Sequence, residues 1–315
     1  MERITINRLK NYLNEEIRSS FLVTEKELKE GMRGEYLRLR LADRHGSLNA
    51  YIWDNAAIFD KKCQVDDIVK VYGRVKDYKG QLQLTILDIE TMHDLSEVEL
   101  SEYLQTTKKD LTKLADEFFG FVESLRDIYL KELLKSIFED HEFFLRFSRS
   151  PAAKNWHHNY QGGLLEHTVS VAKICEFAAQ NYPVDRDLLI AGALLHDVGK
   201  VEEYHGKKVF DFTDVGRLLG HLALGDEIIA KKAAQINAFP PELLMKLRHL
   251  VLSHHGEPEK GAVKVPQTLE AIVLHYADNL DAQTVGVQQI IEGAVGDTSE
   301  WSEYDRLNNR YYFLK

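Results

Sequence analysis

Five short stretches of the chain end an apolar run in a histidine or an aspartate. His167 follows GGLLE, His196 and Asp197 follow AGALL, and His221 follows GRLLG. His254 and His255 follow RHLVLS, and Asp278 follows AIVLHYA. Ten of the thirteen histidines fall between residues 157 and 275. Helices pack through their apolar faces, so polar side chains set into those faces converge in the interior. An imidazole or carboxylate without a partner is costly there. A shared divalent metal would satisfy them together. A carboxylate has two oxygens and can bridge two cations, which makes the His196-Asp197 pair the informative one. Imidazoles and carboxylates without thiolates suit Mn, Fe, Co, Ni or Zn rather than Ca or Mg alone. Single members have plainer readings. His196-Asp197 alone could close a helix, where a protonated imidazole is favourable, and Asp278 alone could be a surface acid. The ordered set carries the metal reading.

The elements that must position these residues are helices. From about residue 110, apolar residues recur at three- and four-residue intervals. The helical stretches are LADEFFGFVESL, LLKSIFEDHEFFLRF, GLLEHTVSVAKICEFAAQ, RDLLIAGALLHDVG, GHLALGDEIIAKKAAQI, PELLMKLRHLVLSHHG and TLEAIVLHYADNLDAQTVGVQQII. KKVFDFTD reads as a brief extended loop, and DTSEWSEYDRLNNRYYFLK as a polar-aromatic loop or tail.

Residues 20–92 have the period of half-buried strands instead. FLVTEKEL, EYLRLRLAD, SLNAYIWD, DIVKVYGRVKDY and QLQLTILDIE are five candidate strands, with turns at His45-Gly46 and Lys79-Gly80. NAAIFDKKCQV leaves room for a helix between the third and fourth, which is the order of the OB fold. The expected fold is multidomain. An N-terminal all-β OB-fold barrel spans 1–95, an acidic linker 96–110, and an all-α bundle 111–315.

Composition is that of a globular protein, with 44% hydrophobic and 29% charged residues. Cys63 and Cys175 are too few for a disulfide framework. No apolar run approaches the about 20 residues of a membrane helix, and MERITINRLKNYLNEEI lacks a signal peptide's apolar core. A cytoplasmic location, away from membranes, is expected. The net charge of -10 would repel a polyanion. It is unevenly spread: residues 1–92 hold 16 Lys/Arg and 15 Asp/Glu, and residues 93–315 hold 24 and 35. The strand region is therefore the part compatible with nucleic acid.

Strand alternation sorts that region into two phases. Leu37, Leu39, Leu41, Leu48, Ala50, Ile52, Val69, Val71, Val75, Leu82, Leu84 and Ile86 share one. Tyr36, Arg38, Arg40, Tyr51, Trp53, Lys70, Tyr72, Arg74, Gln81 and Gln83 share the other. Interleaved rings and cations suit single strands, since rings stack on bases and cations follow phosphates. Tyr51, Trp53, Arg38, Arg40, Tyr72 and Arg74 are the expected substrate contacts.

The order His167…His196-Asp197…His221…His254…Asp278 resembles the HD superfamily of metal-dependent phosphohydrolases over about residues 150–285. With NWHHNYQGGLLEHT, LLHDVGK, GRLLGH, SHHG and ADNLDA behind an OB-like region, the chain resembles YhaM-type 3′–5′ exoribonucleases. The resemblance implies an HD domain over 111–315 and two divalent metal ions, with Mn preferred and Co, Fe, Ni or Zn as alternatives. One ion would take His167, His196, Asp197 and Asp278. The other would take Asp197, His221 and His254, so that Asp197 bridges. Adjacent helical residues point about 100° apart, so His255 is expected beside the ligands rather than among them, with Asn279 and Asp281. Two such cations activate water for attack on phosphorus. Lys200 would bind a phosphate oxygen. His157 and His158 would steady the substrate or protonate the leaving oxygen, or be structural. Gly199 would turn the chain.

The implied activity is release of nucleoside monophosphates from single-stranded RNA, with single-stranded DNA an open second substrate and a homo-oligomer as the assembly. Other readings are an HD phosphohydrolase of small nucleotides or cyclic dinucleotides, a di-iron oxygenase, and a non-catalytic single-strand binder with a structural metal.

Overall fold

The computed structural model describes residues 3–32, 34–78, 80–96, 99–100, 102–154, 156–206, 209–293, 299–306 and 308–315. The chain divides into two compact units, Met1–Thr106 with Lys207–Val209, and Thr107–Gly206 with Phe210–Lys315.

The first unit holds β1 (Glu16–Gly31), β2 (Gly34–Asp43), β3 (Gly46–Ile52), β4 (Ile68–Tyr78) and β5 (Gln81–Met92). They close into a barrel in the order β1-β2-β3-β5-β4. β1 pairs with β4 through its first half and with β2 through its second, and its register shifts between Val23 and Glu25 as it changes neighbour. Helix α1 (Ala56–Asp60) lies between β3 and β4, as the OB order requires. Leu37, Leu39, Leu41, Ala50, Val69, Val75 and Leu84 are fully buried, so the inward phase is the core.

Three local readings change. β1 begins at Glu16 rather than near Phe21. Its early inward positions are Ile17 and Ser19, and a buried serine, donating to the Ile4 carbonyl at 2.6 Å, breaks the apolar alternation. The first hairpin loop is Arg44-His45, one residue earlier than expected, because Gly46 already pairs with Asp43. Of the second turn, Lys79 lies outside the described residues; Gly80 has a φ of +83° and donates its N–H to Asp77 Oδ1 at 2.9 Å. Within the segment expected as a linker, Tyr103 is buried against Leu22 and Ile68, and its hydroxyl meets Ser20 Oγ at 2.7 Å.

The second unit is helical: α2 (Leu111–Ser124), α3 (Ile128–Phe138), α4 (His141–Arg149), α5 (Gly163–Ala179), α6 (Arg186–Leu195), α7 (Lys200–Glu203), α8 (Asp214–Ala233), α9 (Pro241–Ser253) and α10 (Leu269–Gly293). LLKSIFEDHEFFLRF is two helices rather than one. Asp140 sits in extended conformation and accepts from the N–H groups of Glu142 and Phe143, which starts α4 afresh. The α2–α4 rings pack edge to face in the core, with Phe118 and Phe138 centroids 4.7 Å apart at 74°. The brief extended stretch is β7 (Asp211–Phe212), paired with β6 (Tyr204–His205).

The C-terminal stretch is more ordered than a loop. Bridges Trp301–Phe313 and Asp305–Arg310 make it a small hairpin with the Trp301 and Phe313 rings 5.3 Å apart. Among the described residues, no helix is long and apolar enough to cross a membrane.

Candidate metal centre

Each polar residue of the cluster is delivered by an element that packs for apolar reasons. Leu188 to Leu195 of α6 are all buried, and the helix hands the chain on to His196 and Asp197 in the interior. His167 lies in the second turn of α5, Asp278 on α10, and His254-His255 at the end of α9. α8 breaks at Gly220, whose φ of 73° and ψ of 159° are not helical and favour glycine. The break leaves the His221 N–H free to donate to Glu203 Oε1 at 3.0 Å. Gly199 lies in the turn between α6 and α7, spanned by the Lys200 N–H donating to the Asp197 carbonyl at 3.0 Å, but the turn does not require glycine. Its φ and ψ are right-handed (−66°, −17°). Its role is close approach: a Cβ there would lie 2.0 Å from the His221 carbonyl oxygen and 2.5 Å from the Gly225 nitrogen.

Asp197 is the centre, with its side chain 2% exposed. Its Oδ2 lies 3.3 Å from His196 Nε2 and 3.7 Å from His167 Nε2. Its Oδ1 lies 3.5 Å from His221 Nε2 and 3.6 Å from His254 Nε2. Asp278 Oδ1 stands 3.1 Å from His167 Nε2. The two carboxylate oxygens thus face two separate sets of imidazoles. His255 corrects the expectation for a neighbouring histidine pair. Both rings turn inward, and His221, His254 and His255 bring ligand atoms within 4.8 Å of one another.

The tautomers follow from what the outer ring nitrogens touch. Nδ1 of His196 donates to the Ala193 carbonyl and Nδ1 of His254 to the Val251 carbonyl, each at 2.8 Å. Nδ1 of His255 donates to the Lys260 carbonyl at 2.9 Å. Nδ1 of His221 donates to Glu203 Oε1 at 3.1 Å, and Nδ1 of His167 to Asp281 Oδ2 at 2.7 Å. With the outer proton so placed, five inward Nε2 lone pairs meet two carboxylates. Against them stand the Lys200 ammonium, which donates to Asp197 Oδ2, and a second proton on His167, so an interior this rich in acceptors still suits cations. Asp197 Oδ1 and His254 Nε2 are buried without a hydrogen-bond partner, and His167 and His196 face each other nitrogen to nitrogen at 3.2 Å. These residues fit a divalent metal centre, with the outer Nδ1–H held as metal-binding histidines require.

Protonation agrees. Burial opposes ionisation of Asp197, but Lys200 and His196 outweigh it and hold the carboxyl well below its usual range. Burial pushes the His255 imidazole down to about 3, helped by His254 and His221, so it is neutral at pH 7. Burial also lowers His254. His167 is the exception. Burial works against its charge, yet Asp278 and Asp281 raise it to about 9. It attracts a second proton where the cluster most lacks positive charge.

The remaining expected residues separate. A cleft of about 1190 Å³ opens beside the cluster, and Asp197, Lys200, His157, His254, His255, Asp278 and Asn279 line it. Lys200 is buried with its ammonium 2.5 Å from Asp197 Oδ2. His157 has neither ring nitrogen hydrogen-bonded. His158 is not at the cleft. Its Nε2 meets Asp281 Oδ2 at 2.9 Å and its Nδ1 meets the Tyr160 hydroxyl at 3.0 Å, so it braces Asp281 and is not placed to touch substrate. Asn279 is exposed and braces no ligand among the described residues, whereas Asp281 holds His167, His158 and Ser170. Sequence reasoning missed Glu203, which orients His221. Its spacing in KVEEY carries no ligand signal; only the fold shows the contact.

The outward barrel phase is gathered as expected, but partly neutralised. Trp53 is 52% exposed and stacks on Tyr36 and Tyr51, with centroids 5.1 and 5.3 Å away. Strand registers run Arg38, Tyr51, Thr85, Arg74 and Glu16 across the face as one row. Arg38 pairs with Glu27 at 3.1 Å and Arg74 with Glu16 at 2.6 Å, while the Tyr72 hydroxyl also donates to Glu16. Arg40 is held by the Ser47 hydroxyl at 2.8 Å, with no carboxylate within ion-pair distance among the described residues.

A closed OB barrel and a helical unit with a buried His/Asp cluster define a metal-dependent HD-domain hydrolase with a nucleic-acid-binding domain. The HD domain family matches residues 164–283, and the OB-fold nucleic acid binding domain family matches residues 22–92. 3′–5′ exoribonuclease YhaM of Bacillus subtilis (strain 168) is 34% identical over 258 residues, covering 82% of this chain and 81% of that protein. The protein of the same name in Bacillus licheniformis is 34% identical over the same shares. The chain belongs to the YhaM family of 3′–5′ exoribonucleases. Among solved structures, the second OB-fold domain of replication protein A from Methanococcus maripaludis is 22% identical. It covers 30% of this chain and 100% of that one, at a TM-score of 0.25.

Proposed function

We propose that the protein shortens single-stranded RNA from its 3′ end in the cytoplasm, releasing nucleoside monophosphates at a centre of two divalent cations, preferably Mn²⁺. The carrying observation is the buried cluster in which the two oxygens of Asp197 face different imidazole sets. His167, His196, Asp278 and Asp197 Oδ2 would hold one ion; His221, His254, His255 and Asp197 Oδ1 would hold the other. When bound, such ions supply an activated water and neutralise charge on phosphate oxygens.

The chain's own groups do the rest. Lys200 offers a fixed ammonium at the Asp197 end of the cleft for a non-bridging phosphate oxygen. His157 is kept neutral at pH 7, first by burial and then by His167, and so presents one N–H and one lone pair to substrate oxygens. The Tyr36–Tyr51–Trp53 stack offers a base platform, and single-stranded DNA would share it.

Incubating the protein and Mn²⁺ with 3′-open and 3′-blocked RNA tests this. Ladders of shortened RNA should appear from the open end only. Equal cutting of both substrates, or none while free nucleotides turn over, overturns the reading.

A further inference from the structure

The cleft extends well beyond the cluster, and its other walls have a character of their own. Lys200, Lys260 and Arg310 line it, and beyond Asp197 and Asp278 its one described carboxylate is Glu292. Lys108 neutralises that carboxylate at 2.6 Å. Lys200 is held on the floor by Asp197 and Lys260 faces Glu257 at 3.8 Å, so among the described residues Arg310 is the wall cation with no carboxylate within ion-pair distance.

Two of its lining residues are fixed in unusual ways. The Trp156 indole lies on the bare main chain of α10 at Gly286, where a Cβ would come within 2.4 Å of ring atoms Cε2 and Cζ2. That contact sets the ring's position. Arg310 arrives from the C-terminal hairpin. Its main chain bridges Asp305, its Nε donates to the Asn308 carbonyl at 3.0 Å, and Asn308 in turn accepts from Gln283 of α10 at 3.2 Å. Its guanidinium is therefore oriented, yet among the described residues no carboxylate lies within ion-pair distance of it. An oriented guanidinium without a carboxylate, in a cleft shared with a fixed indole, suits a ligand with a planar ring and a phosphate.

We propose that Trp156 and Arg310 form a nucleotide subsite on the cleft wall, the indole carrying a base and the guanidinium a backbone phosphate 5′ of the bond that is cut. This rests on the exoribonuclease reading above. The hairpin is then part of the substrate path and not a surface tail.

Steady-state kinetics of the full chain with Mn²⁺ test it. Arg310→Gln should raise KM for RNA about tenfold, the worth of a charge-assisted hydrogen bond, with kcat within about twofold. It should also flatten the salt dependence of log kcat/KM by about 0.7, one phosphate contact to a single strand. Trp156→Ala should raise KM about tenfold or more, and Trp156→Phe should restore most of it. RNAs carrying one methylphosphonate, moved along the last linkages, give the control that fold damage cannot mimic. One position should penalise the wild type and add nothing in Arg310→Gln. A lower kcat at unchanged KM and salt slope, or the same methylphosphonate penalty in both proteins, overturns the subsite. Wild-type protein that leaves the 3′ end intact overturns the exoribonuclease reading instead.

Discussion

Replacing Asp281 by Asn isolates the support beneath the cluster from the cluster itself. Asp281 does not line the cleft beside the cluster, but its Oδ2 receives His167 Nδ1 at 2.7 Å and His158 Nε2 at 2.9 Å, and its Oδ1 receives Ser170. Asparagine keeps one acceptor. With that oxygen toward the histidines, the amide N–H₂ faces Ser170, whose hydroxyl can rotate to accept. The geometry survives and the charge is lost. A charge-assisted hydrogen bond contributes about 1.5–3 kcal/mol and a neutral one about 0.5–1.5, so the His167 contact should lose about 1–1.5 kcal/mol. That is about a 5- to 13-fold weaker metal affinity, at the lower edge of the about 10- to 100-fold seen when outer partners of metal-bound histidines are changed.

His167 is raised to about 9 partly by Asp281, so at pH 7 a proton competes with metal for Nε2. Removing the Asp281 charge lowers that pKa and relieves the competition, which masks part of the loss. Most of the loss should appear near pH 9, where about half of His167 has lost its competing proton. Anaerobic Mn²⁺ titrations at pH 7 and 9, with RNA hydrolysis at saturating Mn²⁺, measure both. The variant should need more metal and then recover to within a few-fold of wild type. Unchanged affinity at both values, or a rate that saturating metal cannot restore, would refute this account of Asp281.

Other outcomes follow from the same geometry. Asp197→Ala should lose both ions by elemental analysis and all RNA hydrolysis while keeping its circular dichroism spectrum; retained metal would displace Asp197 from the centre. Metal binding at pH 7 should release about one proton, from His167, and none well above pH 9; calorimetry in buffers of different ionisation enthalpy reads this directly. In the Asp197→Ala background, Trp53→Ala should weaken RNA binding by about 1–3 kcal/mol through lost stacking. Arg40→Ala should flatten its salt dependence by about 0.7, and Arg38→Ala by less, because Glu27 already offsets that charge. Equal slopes for the two arginines in anisotropy titrations would contradict the pairing.

Much of this was legible in the sequence for identifiable reasons. Period-two alternation finds the inward barrel residues because both faces of a strand repeat strictly. The apolar-then-polar endings at His167, His196-Asp197, His221, His254 and Asp278 find the cluster because packing carries such endings inward. What escaped depends on contacts rather than periods. His255 joins His221 although helical geometry alone sends it elsewhere, because α9 ends at Ser253 and the chain leaves the helix there. His158 looked like a substrate residue because it neighbours His157, yet Asp281 claims it. Gly199 does lie in a turn, but what requires glycine there is the close approach of a neighbouring main chain. The glutamates facing Arg38 and Arg74 are far from them in sequence.

The acceptor-rich interior also bears on the stability of the protein. Packing draws five imidazoles and the carboxylates of Asp197 and Asp278 together, with Lys200 and a protonated His167 as their cations when no metal is bound. A cation bound only by the native state stabilises it by about 2.7 kcal/mol at a hundredfold excess over its Kd. The barrel holds no such cluster among its described residues. Free metal therefore adds to the stability of the helical unit alone. A cell short of metal would keep a folded protein that still grips RNA but does not cut it, an unproductive RNA cap in place of a nuclease.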